Sequence, residues 1–291
     1  MTSRHELLAG LHHRLRPRGY LEIGVDRGQS MALATCPAIG IDPTDRRTVK
    51  SSADAEVHTM TSDEFFARPD PLRHLPGRTL DLAFIDGMHL VEYALRDLIN
   101  VERHSHPGTV LVLDDMLPRN VEEAARDRFT RDWTGDVYKL IAILAEHRPD
   151  LACVPLDTTP TGVVVILGLD RANQVLTRRY DQIVAAALTP DPQDVPASVL
   201  HRTGALDPQS FLDSPLIPWL IAQRGSSPHL PGASGRVARR TRATLLGAVP
   251  GLGEQVRDRV FDVSASALRV VRPRTRMRRV VASGRRRLGR P

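Results

Sequence analysis

Leu80-Asp81-Leu82-Ala83-Phe84-Ile85-Asp86-Gly87-Met88-His89 is a largely apolar run of strand length that stops at a carboxylate. An apolar strand that ends in an acid places that acid on the carboxyl edge of a sheet, where open α/β folds bind ligands. Val110-Leu111-Val112-Leu113-Asp114-Asp115 repeats the pattern. Two neighbouring strand ends of this kind bring three carboxylates and a histidine to one crevice. That is the composition of a hard-cation site with a general base beside it.

Around these stretches the first half of the chain alternates strand-like and helix-like segments, which predicts a parallel sheet with crossover helices. Expected strands are 20–24, 38–42, 56–58, 80–85 and 109–113, followed by an antiparallel pair, 151–156 and 162–168, joined by a turn at 157–161. Helices are expected over 4–16, from Gln29 to about Thr35, from Thr61 or Ser62, over 89–101, in two pieces across 119–147, and over 171–188. The fold class is therefore α/β: a Rossmann-like, doubly wound sheet, mostly parallel with a terminal antiparallel strand, and a basic C-terminal extension. The division drawn from this pattern is 1–188 for the Rossmann-like domain, 189–230 for a proline-rich extension, and 231–291 for an arginine-rich tail.

The 291 residues carry a net charge of +6, very unevenly spread. Residues 231–291 hold 16 of the 40 basic residues and 3 of the 34 acids, a net of +13, leaving −7 on residues 1–230. The tail mixes Arg with Leu, Val and Ala, so 238–249 and 255–271 read as basic amphipathic helices suited to an anionic membrane surface. The nearly pure basic stretch 272–290 suits nucleic acid or another polyanion; a solvated tail shaped by coding bias is the plain alternative. Two cysteines, Cys36 and Cys153, give neither a disulfide framework nor a zinc cluster. With no apolar stretch at the N-terminus and no window able to cross a bilayer, the expectation is a cytoplasmic protein, peripheral to a membrane at most through its tail.

Glu22-Ile23-Gly24-Val25-Asp26-Arg27-Gly28-Gln29-Ser30 sits between a strand and the following segment. Its glycines permit positive φ and close backbone approach, as a loop wrapping a nucleoside requires. Asp42, ending the next strand 20 residues after Glu22, suits a ribose diol. The dinucleotide pattern G-x-G-x-x-G is absent, and Asp26 would repel a pyrophosphate. Both facts favour a nucleoside without phosphates, such as S-adenosylmethionine, over NAD. An ordinary tight turn is the alternative. The cofactor set is thus Glu22, Gly24, Asp26, Gly28, Ser30 and Asp42, with Ser62 at the helix start after the third strand. Oxygen-only donors at Asp86, Asp114 and Asp115 indicate Mg²⁺ or Mn²⁺ and not zinc, unless the Asp114-Asp115 pair merely caps a turn. His89 stands where its ring can take a proton from a substrate hydroxyl; a third ligand or a helix cap are its other roles.

At these residues the chain resembles the class I S-adenosylmethionine-dependent methyltransferases, in particular the metal-dependent macrocin-type O-methyltransferases. Those enzymes have a strand ending in Ile-Asp-Gly followed closely by His or Tyr, and a later strand of the form Gly-x-x-x-x-x-Asp-Asp. Here these are Ile85-Asp86-Gly87 with His89, and Gly108 through Asp114-Asp115. The resemblance spans about residues 18–170. It implies a divalent cation on Asp86, Asp114 and Asp115, His89 as the base, and a hydroxylated small molecule, such as a sugar, as acceptor. The lysine base of catechol-type relatives has no counterpart near Asp86, and Lys139 is too remote to assign. Two other classes stay open: an oxidoreductase or hydroxylase on the same scaffold, and a non-catalytic S-adenosylmethionine-binding module that docks through its basic tail. Self-association into a homo-oligomer is compatible with either.

Overall fold

All seven expected strands are present in the computed structural model, which describes residues 2–51, 54–224 and 233–248. They are β1 (Tyr20–Ile23), β2 (Ala38–Asp42), β3 (Ala55–Thr59), β4 (Leu80–Ile85), β5 (Ser105–Leu113), β6 (Ala152–Leu156) and β7 (Val163–Leu167). They form one sheet in the order β3-β2-β1-β4-β5-β7-β6. The first five are parallel, and β7 runs antiparallel to both β5 and β6. Ile23 pairs in register with Ile85, and Ile85 with Leu113, so the acids that follow β4 and β5 emerge side by side. The helices are α1 (Arg4–Leu15), α2 (Ser62–Phe66), α3 (Val91–Arg103), α4 (Lys139–His147), α5 (Val175–Ala187), α6 (Ala197–Leu200), α7 (Pro208–Leu212), α8 (Leu216–Gln223) and α9 (Ala233–Ala248).

The period-two alternation of the strands divides the core into two layers. Leu21, Ile23, Ala83, Ile85, Leu111 and Leu113 face one side, where they meet the apolar stripes of α3, α4 and α5. Tyr20, Leu82, Phe84, Val110, Val112 and Val165 face the other, against α1, α7, α8 and α9. The first layer is covered by helices that connect consecutive strands. The second is covered by the two ends of the described chain.

Two expectations are corrected. The helix expected from Gln29 shrinks to a single 3-10 turn, Met31–Leu33. Pro37 and the start of β2 at Ala38 leave no length for more, and the residue before a proline is steered out of the α region. Of the two pieces expected over 119–147, only α4 forms. Residues 119–138 fold as turns because the groups that would extend a helix past Glu123 are engaged elsewhere: the Arg126 and Asp127 amides donate to the Asp191 carboxylate, and the Glu123 carbonyl accepts from the Thr134 and Gly135 amides.

The segments after residue 188 also pack on the sheet. Phe211, Leu212, Leu216, Ile217 and Leu220 of α7 and α8, with Val237, Ala238 and Leu245 of α9, belong to the same buried cluster as the sheet. Val237, Ala238 and Leu245 of α9 are therefore packed on the core, while Arg239 and Arg240 point outward. Residues 255–271 and 272–290, and most of the linker, lie outside the described residues. Among the described residues no helix is long and apolar enough to cross a membrane.

Candidate active site

A cleft of about 1440 Å³ opens at the carboxyl edge of the sheet, over β1, β2 and β4. Gly24, with φ 90°, is what lets the first loop close on the second: a Cβ there would overlap the Asp86 carbonyl. The Asp86 amide donates to the Ile23 carbonyl at 2.8 Å, so the two strand ends are tied together. Asp42 accepts from the Asp26 amide at 2.8 Å and the Thr44 amide at 2.8 Å, which fixes its carboxylate at the cleft wall. Gly24, Asp26, Asp42 and Ser62 all line the cleft.

Glu22 and Ser30 are placed differently. Glu22 is fully buried, accepting from the Tyr20 hydroxyl and the Ser30 hydroxyl, each at 2.6 Å. They brace the loop from below and do not line the cleft. Burial raises the Glu22 pKa to about 7, against the lowering effect of those two hydrogen bonds. Gly28, with φ 80°, packs against the Val49 carbonyl. On the opposite wall Ser62 donates to Asp97, a buried acid that sequence reading passed over because it lies inside helix α3. Burial raises the Asp97 pKa to about 7 as well.

The acid cluster forms at the ends of β4 and β5. His89 Nε2 lies 3.2 Å from Asp86, and its Nδ1 lies 2.8 Å from Asp115 and 2.9 Å from the Trp133 carbonyl. The Thr161 hydroxyl donates to Asp115 from the β6–β7 turn. The imidazole stacks on the Trp133 indole with centroids 5.2 Å apart and planes within 3°. His89 and Asp115 both have positive φ, and the Gly135 backbone presses against the His89 carbonyl where no side chain would fit. Such backbone strain, held in place by packing, is found at functional sites.

Asp114 is the expected ligand that the structure uses otherwise. It pairs with Arg4 at 2.6 Å, and the Arg4 guanidinium also lies 3.6 Å from Asp86. Arg4 is delivered by a capping box: the Ser3 hydroxyl accepts from the Glu6 amide, the Glu6 carboxylate accepts from the Ser3 amide, and Arg4 becomes the first residue of α1. The three groups whose ligand atoms all lie within 4.8 Å of one another are Asp86, His89 and Asp115. Two carboxylates and an imidazole at that spacing fit a divalent cation such as Mg²⁺ or Mn²⁺.

The cluster is electrostatically coupled. Burial alone would lower the His89 pKa, but hydrogen bonds and charge from Asp115 and Asp86 hold it well above its ordinary value. Burial, with the charges of Asp86 and Asp115, raises Asp114 against the opposing effect of Arg4. Burial would also raise Asp86, yet its His89 partner and Arg4 bring it below the ordinary carboxylate value. Groups pushed apart in this way, in a cleft, mark acid-base or ion-binding chemistry.

A family profile described as a methyltransferase domain matches residues 21–116, the stretch from β1 to just past the Asp114-Asp115 pair. No curated protein matches the chain. Solved structures that resemble it include the O-methyltransferase TomG from Streptomyces achromogenes, involved in tomaymycin synthesis and bound to S-adenosylmethionine. It is 20% identical, with a TM-score of 0.44, over 56% of this chain and 78% of that one. An O-methyltransferase from Bacillus cereus in complex with S-adenosylhomocysteine is 15% identical, with a TM-score of 0.44, over 56% of this chain and 80% of that one. The profile match, residues 21–116, takes in β1, β2 and β4, the glycine loop that closes on the β4 acid, and the Asp114-Asp115 pair, so the resemblance to a methyltransferase domain falls on the cleft and the acid cluster together.

Proposed function

We propose that this protein transfers a methyl group to a hydroxyl of a small-molecule acceptor, with a divalent cation held at the Asp86–Asp115 cluster. The observation that carries the reading is the convergence of Asp86, His89 and Asp115 in the same cleft as the glycine loop. Gly24, Asp26, Asp42 and Ser62 form the cofactor wall, with Gly28 shaping the loop and Glu22 and Ser30 bracing it. When bound, S-adenosylmethionine supplies a methyl carbon on a positively charged sulfur, so the acceptor oxygen gains a C–O bond as the C–S pair leaves to sulfur. A cation in the cluster would lower the pKa of an acceptor hydroxyl. His89 takes the hydroxyl proton, and Asp86 and Asp115 stabilise the imidazolium that results. Trp133 fixes the ring from its face, and Arg4 holds Asp114 and Asp86 in position.

A second role for His89 is favoured by one observation: its ring nitrogen belongs to the compact donor set, which makes it a candidate ligand. Mn²⁺ titration of His89→Gln separates the two roles. As base, the variant keeps the cation and loses turnover; as ligand, it loses the cation. An oxidoreductase with a two-histidine iron set finds no support, since the one such cluster among the described residues contains a single histidine. The test of the whole reading is incubation with labelled S-adenosylmethionine, Mg²⁺ or Mn²⁺, and small-molecule extracts. A methylated hydroxyl compound is expected, and full activity after exhaustive chelation would remove the cation from the scheme.

A further inference from the structure

Loop 119–138 forms the outer wall of the cleft beside His89, and its arginines divide into two groups. Arg119 pairs with Glu123 and with Asp132, the latter at 2.9 Å. Arg126 pairs with Glu92 at 2.6 Å and Asp136 at 2.7 Å. These pairs, the Trp133 indole N–H donating to the Ala125 carbonyl at 2.6 Å, and the Thr134 amide donating to the Glu123 carbonyl at 2.9 Å anchor the base of the loop. Arg128 and Arg131, at the tip, line the cleft and make no ion pair or hydrogen bond among the described residues. Between them, the Thr130 hydroxyl is shielded from solvent with no partner.

Arg128 is not randomly placed. Its guanidinium lies 5.8 Å from the Trp133 ring centroid, and the same ring stacks on His89. Guanidinium, indole and imidazole thus make a connected series in which one aromatic ring separates the free cation from the reactive cluster. Stacking on an aromatic ring leaves all five guanidinium N–H donors available. The adjoining cleft surface is apolar, with Met88 54% exposed and Tyr93 36% exposed.

We infer that the acceptor is a hydroxylated, ring-bearing molecule that also carries an oxyanion group, carboxylate or phosphate, bound by Arg128 and Arg131 while its hydroxyl meets His89. The inference rests on the hydroxyl-methylation reading and adds the acceptor's charge class to it. Two free guanidiniums suit a two-oxygen anion, which they hold by charge-assisted, bidentate hydrogen bonds. The Met88, Tyr93 and Trp133 surfaces cover the ring between the anion and the hydroxyl.

The test is titration calorimetry of the full-length protein with S-adenosylhomocysteine present. The probes are 4-hydroxyphenylacetate, its neutral amide, and 4-hydroxyphenyl phosphate. The acid should bind at least about tenfold tighter than the amide. The preference should vanish in the Arg128→Gln/Arg131→Gln double variant, whose S-adenosylhomocysteine affinity serves as the control for folding. Tighter binding of the phosphate than of the acetate assigns the anion as phosphate, and the reverse assigns carboxylate. Equal binding of acid and amide, a preference that survives the double variant, or no binding of any probe overturns the inference. Methyl transfer from labelled S-adenosylmethionine is read in parallel. An anion preference without transfer keeps the subsite and removes the methylation reading, whereas equal transfer to acid and amide does the opposite.

Discussion

Strand β4 starts next to one aspartate–histidine pair and ends next to another, and the two ends differ in how their charges are satisfied. At the amino end, Asp81 is buried and accepts from His106 at 2.7 Å, from the Arg18 amide at 2.8 Å and from the Arg18 guanidinium at 3.0 Å, with Arg224 3.3 Å away. Burial would raise its pKa, but these partners together hold it well below the ordinary carboxylate range. Arg224 also donates to the Leu15 and Arg16 carbonyls, so one network ties α1, β4 and the end of α8 together. At the carboxyl end three acids share Arg4 and His89; burial and its acidic neighbours push the Asp114 pKa up, while Asp115 and Asp86 raise that of His89 against its burial. The same residue types make a structural lock where every charge has its partner. At the other end they make an unbalanced cluster, where carboxylates outnumber cations and face a cleft.

The largest effect that would confirm this contrast is on catalysis. Replacing Asp115 by Asn or His89 by Gln should lower methyl transfer by roughly 10²–10⁴-fold, the usual scale for loss of an acid-base group. Binding of S-adenosylhomocysteine should change little, because the proposed cofactor wall lies on the loop after β1, the end of β2 and the start of α2. A loss of cofactor binding as large as the loss of turnover would show that the carboxyl-end cluster is also structural.

Asp81→Asn should act in the opposite sense, on stability and not on turnover by the folded fraction. Removing one member of a buried pair leaves charge uncompensated, but Arg18 is more than half exposed. A loss of about 2–3 kcal/mol in denaturant unfolding is therefore expected. Because the folded-state pKa of Asp81 is depressed, its contribution is complete above the unfolded value near 3.8 and fades as pH falls below it. The stability gap between wild type and variant should accordingly close in acid.

Arg4→Gln tests the shared cation. It leaves Asp114 buried without its main counter-charge, which should cost about 2 kcal/mol in metal-free protein. It also removes a positive charge 3.6 Å from Asp86, so Mn²⁺ should bind more tightly and restore part of the lost stability. Denaturation with and without Mn²⁺ checks both. No recovery with the ion would place the cation elsewhere.

The sequence was most informative where one residue type has one use. Apolar runs ending in Asp86 and Asp114-Asp115 locate two strand ends, and the other strands are legible as short apolar segments between helix-like ones. Helix α1 was legible from Leu7, Leu8, Leu11 and Leu15, but Arg4 reaches Asp114 across more than a hundred residues of chain, and no local pattern encodes such a contact. The layer formed by α7, α8 and α9 was read as an extension because proline-punctuated and arginine-rich segments look irregular. Their few apolar residues, such as Phe211 and Leu245, nonetheless complete the sheet's second face. Loop 119–138 reads as helical because nothing local encodes that Asp191, more than sixty residues on, accepts from the Arg126 and Asp127 amides.

The smallest effect separates the support of the cofactor loop from its surface. Glu22 is buried beneath the glycine loop with a pKa near 7, against an ordinary value of 4.5. A carboxyl whose folded pKa is raised binds its proton more firmly in the folded state. Wild-type stability should therefore fall as pH rises from about 4.5 to about 7 and then level off. Glu22→Gln keeps an acceptor for one of the Tyr20 and Ser30 hydroxyls, offers the other its amide N–H, and has no charge to bury. The variant should gain on wild type between pH 5 and pH 8, by about 1–2 kcal/mol. Unfolding curves at the two pH values measure the difference directly, and S-adenosylhomocysteine titration at pH 5 should give nearly equal affinities for the two proteins. A variant that tracks wild type at both pH values would mean that Glu22 titrates as an ordinary acid. One that loses the cofactor even at pH 5 would mean that Glu22 contacts the ligand directly and is not merely a brace beneath the loop.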